Sequence, residues 1–153
     1  RLAMVERFDR VCAVEAAEKA LALPGVLKAL KRLHRAGVKL GVATNDSTAG
    51  AERTLLKLGV AQLFDAAFGY DAVAKPKPAP DSVFAFCDLT GLKPADIAMV
   101  GDNRHDLELG RAGGVGLNVA VLSGTGTRES LAPLADLVID SVAELPELLA
   151  ARG

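Results

Sequence analysis

The sequence predicts an α/β protein built on a parallel sheet, and three observations support this fold class. Short apolar runs alternate with helical segments, Gly and Pro separate the segments, and no repeat or low-complexity tract interrupts the alternation. Because parallel strands need crossover connections, the helices between the runs would supply them. A chain of 153 residues is long enough for one such domain.

The predicted helices follow from composition and from capping residues. Residues 10–22 are rich in Ala, Glu and Lys, and residues 23–37 carry an apolar face that ends at Gly37. Further helices are predicted from Asp46 or Ser47 to Leu58, from Pro80 to Thr90, over 103–112, and from the capping box that begins at Ser141. Short apolar runs predict the strands, at 38–44, 66–70, 97–101, 117–122 and 136–140.

Composition excludes several functional classes. The net charge is −1, aromatic residues make up 4% of the chain and Trp is absent, which argues against a nucleic-acid partner. No apolar run reaches the 18 or so residues of a membrane span. Cys12 and Cys87 show no paired spacing, so we expect two reduced thiols and a cytoplasmic protein.

In parallel α/β sheets, ligands bind at the carboxyl ends of the strands. This rule selects four segments here: Thr44-Asn45-Asp46, the segment after Tyr70, Asp102, and the loop "SGTG" at 123–126. The candidate functional residues therefore lie in these loops.

The first candidate is "GVATND", residues 41–46, where a strand runs into a helix N-terminus. Thr44 and Asn45 offer a hydroxyl and an amide side chain next to free backbone N–H groups, a combination that suits a phosphate. The alternative is ordinary helix capping, since these residue types are common at any helix start.

The second candidate is "AKPKPAP", residues 74–80, in which three prolines hold an extended loop. A lysine between prolines can be directed as a fixed positive charge, and we assign this role to Lys75. Two alternatives stay open: Lys75 is a solvated loop lysine, as most lysines are, or Lys77 takes the role.

The third candidate is "VGDNRHD", residues 100–106, with Asp102 at a strand end and Asp106 in the first helical turn. Two close carboxylates need a cation beside them, and Mg²⁺ binds one or two carboxylates together with water and phosphate oxygens. The alternative is that Asp102 caps the helix and Asp106 is a surface acid.

In this order and spacing, the three motifs resemble those of the haloacid dehalogenase superfamily of phosphohydrolases, and the flanking segments resemble its phosphoglycolate phosphatase-like members. The resemblance implies a three-layer α/β/α, Rossmann-like core and an aspartyl-phosphate mechanism that requires Mg²⁺. It implies that Thr44 and Asn45 bind phosphate and that Lys75 joins nucleophile and phosphate. Asp102 and Asp106 would hold the metal. The expected substrate is a small phosphorylated metabolite.

The sequence departs from the family at the first motif, Asp-x-Asp at the end of the first strand, which it does not contain. Asp9 is the one early candidate, and it lacks a strand-like run before it. We therefore expect residues 1–22 to be the trailing helix of a helical cap domain. Residues 23–153 would then be a core that lacks its first strand and most of its cap. We expect such a chain to be the C-terminal portion of a longer phosphatase and to be inactive alone.

Three alternatives follow from this departure. A catalytically inactive binding or regulatory domain would not need the nucleophile. A phosphoglucomutase would differ in a second acid of the absent motif, whereas a dehalogenase would not need the acidic pair. An unpaired sheet edge, if the first strand is absent, would favour a homo-oligomer.

Overall fold

The computed structural model describes residues 11–14, 24–124 and 126–151. Six strands form one sheet: β1 (Val11–Val14), β2 (Lys39–Ala43), β3 (Phe64–Phe68), β4 (Ala98–Gly101), β5 (Leu117–Val121) and β6 (Leu137–Ile139). The helices are α1 (Val26–Arg35), α2 (Thr48–Lys57), α3 (Asp81–Thr90), α4 (Arg104–Gly113), α5 (Arg128–Leu131) and α6 (Leu145–Ala151). The strand order is β3-β2-β1-β4-β5-β6, and every pair is parallel.

The helices cover both faces of the sheet, which confirms the predicted three-layer α/β/α fold. On one face α1, α2 and α6 bury residues such as Leu30, Leu55 and Leu145 against the sheet in one apolar cluster. On the other face Phe86 of α3 and Leu109 of α4 pack with Met99 of β4. The core is divided between the two faces of the sheet because successive side chains of a strand point to opposite faces.

Strand β1 corrects the prediction for the start of the chain. Residues 11–14 were predicted to be helical, but they pair with β2 on one side and with β4 on the other. The core therefore does not lack a strand at this point, because these residues fill the position between β2 and β4. Without a strand between them, β2 and β4 would leave buried N–H and C=O groups unpaired, which is costly. A short Val- and Ala-rich segment can form hydrogen bonds with both strands. Asp9 and the remainder of the predicted cap helix lie outside the described residues.

The other predicted elements agree with the structure within a few residues. Strand β3 is shifted by two residues at both ends, predicted at 66–70 and observed at Phe64–Phe68. Only glycine fits at position 69, just after β3, because a Cβ atom there would lie 2.5 Å from Asp46 O beside the start of α2. The capping box at Ser141 and Glu144 is present and opens a 3₁₀ turn that leads into α6.

None of the helices within the described ranges has the length and apolar character that crossing a membrane requires.

The central position of β1 predicts slow amide hydrogen exchange. Because β1 is paired on both sides, its amides exchange only when the neighbouring strands also open. Exchange at residues 12–14 should be about as slow as exchange at 40–42 and 98–100, measured by mass spectrometry or NMR. Rapid exchange at 12–14 beside protected neighbours would contradict the strand assignment.

Candidate active site

Strand register brings two of the predicted residues to the same level at the carboxyl edge of the sheet. Val14 of β1 is level with Val42 of β2 and with Val100 of β4. Thr44 and Asp102 each lie two residues beyond these positions. With one strand between them and neighbouring strands about 4.8 Å apart, their backbones are separated by about 10 Å. This gap is wide enough to hold a phosphoryl group between the two side chains.

Thr44 is held rigidly at the end of β2. Its N–H donates to Phe68 O at 3.0 Å, and its side-chain Oγ1 accepts from Asp46 N at 3.1 Å. The residue is only 8% exposed. Because a hydroxyl can accept one hydrogen bond and still donate its proton, Thr44 can donate to a phosphate oxygen. Asn45, the other predicted phosphate-binding residue, is exposed beside it.

Lys77 and Asp106 form a buried ion pair. The Lys77 Nζ lies 2.5 Å from Asp106 Oδ1, and the two side chains are 4% and 0% exposed. The second oxygen, Asp106 Oδ2, accepts from Asn103 N at 3.1 Å in a capping box at the start of α4. Both oxygens of this carboxylate therefore accept hydrogen bonds from the chain itself.

The lysine that contacts Asp106 is Lys77, the second lysine of the loop, whereas the predicted role was given to Lys75. Lys75 is exposed, and its backbone N–H donates to Asp81 Oδ2 at the start of α3. A turn closed by Ala79 N and Pro76 O at 3.0 Å places Lys77 inside, over the carboxyl edge of the sheet. Two consecutive Lys-Pro pairs look alike in sequence, so only the fold of the loop distinguishes them.

The predicted metal ligands differ in their surroundings. Asp102 is partly exposed at the end of β4, whereas Asp106 is fully buried against Lys77. The part of the chain that the structure describes contains no group of three or more His, Cys, Asp or Glu side chains that could hold a metal. A single carboxylate with water and substrate oxygens is a donor set that Mg²⁺ accepts, and Asp102 fits this requirement.

Two further polar residues of the motif belong to the helix start. Asn103 is the N-cap of α4, and its side-chain oxygen accepts from His105 N at 2.9 Å. His105 is exposed in the first turn. Asn103 therefore caps the helix, and Asp106, which completes the capping box, is a buried acid and not a surface acid.

Sequence reasoning missed a connection that supports the Thr44 loop. Asp71 Oδ1 accepts from Thr48 N at 2.9 Å and from Thr48 Oγ1 at 2.7 Å, and Gly69 N donates to the same hydroxyl at 2.9 Å. These bonds join the segment after β3 to the N-terminus of α2, next to Thr44. No local motif signals this pairing, because its partners lie more than 20 residues apart.

Replacing Lys77 should destabilise the fold. Lys77→Met leaves the buried Asp106 carboxylate without its cation, and breaking a buried pair in this way costs about 3–5 kcal/mol. Lys75→Met, on the exposed lysine of the same loop, should change the free energy of unfolding by no more than about 0.5 kcal/mol. Urea unfolding of both variants measures the difference, and equal losses would contradict the placement of Lys77.

The connection through Asp71 should depend on pH. Hydrogen bonds from the Thr48 backbone and then from its hydroxyl lower the pKa of Asp71 below its ordinary 3.8. The stabilisation is therefore fully present well above pH 3.8 and is lost as the pH falls through the lowered pKa.

Asp71→Asn should accordingly reduce the free energy of unfolding at pH 7, and the difference from the unchanged chain should shrink at pH 3. Urea unfolding at both pH values is the measurement, with Asp88→Asn, an exposed acid of α3, as the control. A difference that is the same at both pH values would rule out the charged hydrogen bond as its source.

The chain matches known proteins in sequence and in fold. A model of the haloacid dehalogenase-like hydrolase family matches residues 2–114, well over half of the chain. The phosphoglycolate phosphatase of Salmonella typhimurium is 33% identical over 107 residues, which cover 70% of this chain and 42% of that protein. The protein named "Probable phosphatase IndB" of Dickeya dadantii is 34% identical over 126 residues, or 82% of this chain and 54% of that protein.

A solved structure of a HAD-superfamily hydrolase from Geobacter sulfurreducens has the same fold. It superposes with a TM-score of 0.69 at 27% identity, over 82% of this chain and 55% of that one. The chain thus spans about half the length of the relatives that it matches. The matched sequence and the shared fold together establish that this chain belongs to the haloacid dehalogenase-like hydrolase family.

Proposed function

We propose that this chain supplies the phosphate-binding, lysine and metal-binding parts of a Mg²⁺-dependent phosphomonoester hydrolase. The observation that carries the proposal is the buried Lys77–Asp106 pair at the edge where Thr44 and Asp102 follow the two strands on either side of β1. Hydrolysis of a phosphate ester needs positive charge and hydrogen-bond donors fixed around the phosphoryl oxygens, and this edge provides both.

Thr44 would bind the phosphoryl group. Its backbone N–H is used by Phe68 O, so its hydroxyl is the group that can donate to the substrate. The N-terminus of α2 follows within four residues, and its positive dipole end favours the same anion. Asn45, exposed between the two, would add a side-chain donor.

Lys77 would neutralise the charge that gathers between the nucleophile and the phosphoryl oxygens. Asp106 is fully buried and accepts hydrogen bonds from Lys77 Nζ and Asn103 N, so it would act on the substrate through Lys77. An ammonium held by a buried carboxylate is positioned in advance, so little reorganisation is needed in the transition state. We therefore assign Asp106 as the positioning residue for Lys77.

Asp102 would be the carboxylate that holds Mg²⁺, together with water and a phosphoryl oxygen. When bound, this ion would stabilise negative charge on the phosphoryl group. Asp102 is suited to the role because it ends β4 next to the phosphate position and is partly exposed there.

The reaction would proceed through a carboxylate, as it does in the family that the chain resembles. An Asp oxygen attacks phosphorus, the ester P–O bond breaks, and the leaving alkoxide takes a proton from solvent water. A water molecule then attacks phosphorus, the P–O bond to the carboxylate breaks, and inorganic phosphate and the free carboxylate are released. The register puts the end of β1 between Thr44 and Asp102, where such a carboxylate would be needed.

The substrate class follows from the relatives and from the net charge. The matched relatives are phosphatases by name, and several are named for phosphoglycolate. A small phosphorylated metabolite is therefore the proposed substrate, and phosphoglycolate is the first compound to test. The chain's charge of −1 gives no reason to expect a nucleic-acid substrate.

A second candidate is a non-catalytic phosphate-binding domain. The observation in its favour is that the sequence contains no Asp-x-Asp motif. Such a domain would bind inorganic phosphate with Mg²⁺ through the same residues and would not release phosphate from an ester.

Hydrolysis of an aryl phosphate tests the proposal, measured on this chain and on the longest natural protein that contains it, with and without Mg²⁺. In the active form Lys77→Met should lower kcat about 100-fold or more, while Lys75→Met should stay within about twofold. Asp102→Asn should remove the response to Mg²⁺.

Two outcomes would decide against hydrolysis. Phosphate binding without any turnover in either form would favour the binding domain. Turnover that is independent of Mg²⁺, or equally sensitive to both lysines, would contradict the assigned roles.

A further inference from the structure

The loop after β5 lies directly against Asp102, although no chemical role has been assigned to it. A Cβ atom built on Gly124 would lie 2.5 Å from Asp102 Cβ and would overlap the carboxylate itself. Gly126 N donates to the backbone oxygen of Asp102 at 3.0 Å. Two glycines of one loop thus touch both the side chain and the main chain of one residue.

The requirement for glycine at position 124 is one of space. The described glycines with a left-handed backbone are Gly25, Gly37, Gly59, Gly91 and Gly114, and Gly124 is not among them. An alanine could therefore adopt the backbone conformation, but its methyl group would occupy the volume of the carboxylate. Rotation of the Asp102 side chain would not remove the overlap, because its Cβ atom is held in place by the main chain.

We propose that Gly124 is a positioning residue for the metal-binding carboxylate, which it holds by close contact at the end of β4. This inference rests on the proposed role of Asp102. The loop is fixed to β4 by the Gly126 hydrogen bond, so the surface that Gly124 presents cannot move independently of Asp102. Substitution of a residue that contacts and orients a metal-binding side chain typically changes metal affinity about 10- to 100-fold.

The test is Mg²⁺ binding in the presence of inorganic phosphate, measured by titration calorimetry of the unmodified chain, of Gly124→Ala and of Gly37→Ala. Gly37 is the matched control because its φ is +87° and nothing lies within 4 Å of a Cβ built there. Gly37→Ala should therefore lose stability through backbone strain and keep its Mg²⁺ affinity. Gly124→Ala should bind Mg²⁺ at least about tenfold more weakly.

A second measurement keeps the proposal testable if Gly124→Ala folds poorly. Only removal of the whole Asp102 side chain, its Cβ included, relieves the overlap, so Asp102→Gly combined with Gly124→Ala should have a higher unfolding midpoint in urea than Gly124→Ala alone. No recovery in the double variant would overturn the proposed contact.

The outcomes separate this inference from the proposed function. Equal Mg²⁺ affinity of the unmodified chain and Gly124→Ala would overturn the role of Gly124 alone. Absence of Mg²⁺ binding by the unmodified chain at millimolar concentrations would overturn both this role and the metal assignment of Asp102.

Discussion

The buried ion pair between Lys77 and Asp106 is the interaction on which the rest of the site depends. Removing two charges from water is expensive, and this pair is tolerated because Asp106 also accepts a hydrogen bond from the start of α4. Gly101 leaves the room that the carboxylate needs, since a Cβ there would lie 2.6 Å from Asp106 Oδ2. The pair therefore connects the proline-rich loop, the end of β4 and the first turn of α4.

The parallel sheet supplies the second constraint. Strand β1 lies between β2 and β4, so Thr44 and Asp102 are held on either side of the end of β1 with one strand between them. Around this gap the loops are fixed by close contacts, the Asp71–Thr48 bonds on one side and Gly124 on the other. A phosphoryl group bound there would meet a hydroxyl, an ammonium and a carboxylate whose positions are set before it arrives.

Most of the fold could be predicted from the sequence because its signals are local. Helix caps and short apolar runs predict nearly every element, and the strand-end rule selects Thr44 and Asp102. The features that the sequence did not predict depend on contacts between distant parts of the chain. Residues 11–14 resemble a helix by composition and form a strand because two neighbouring strands need a partner. Lys75 and Lys77 are equivalent by local pattern, and only the turn from Pro76 to Ala79 separates them. The contact of Gly124 with Asp102 joins loops of neighbouring strands, which no short motif records.

A double-mutant cycle between Lys77 and Asp106 tests the central claim most directly. The free energies of unfolding of Lys77→Met, Asp106→Leu and the double variant measure how strongly the two residues depend on each other. The buried pair predicts a coupling of about 2–3 kcal/mol, with the double variant more stable than the sum of the single losses implies. The same cycle with Lys75 should give a coupling near zero. A coupling near zero for Lys77, or a larger one for Lys75, would contradict the site as described.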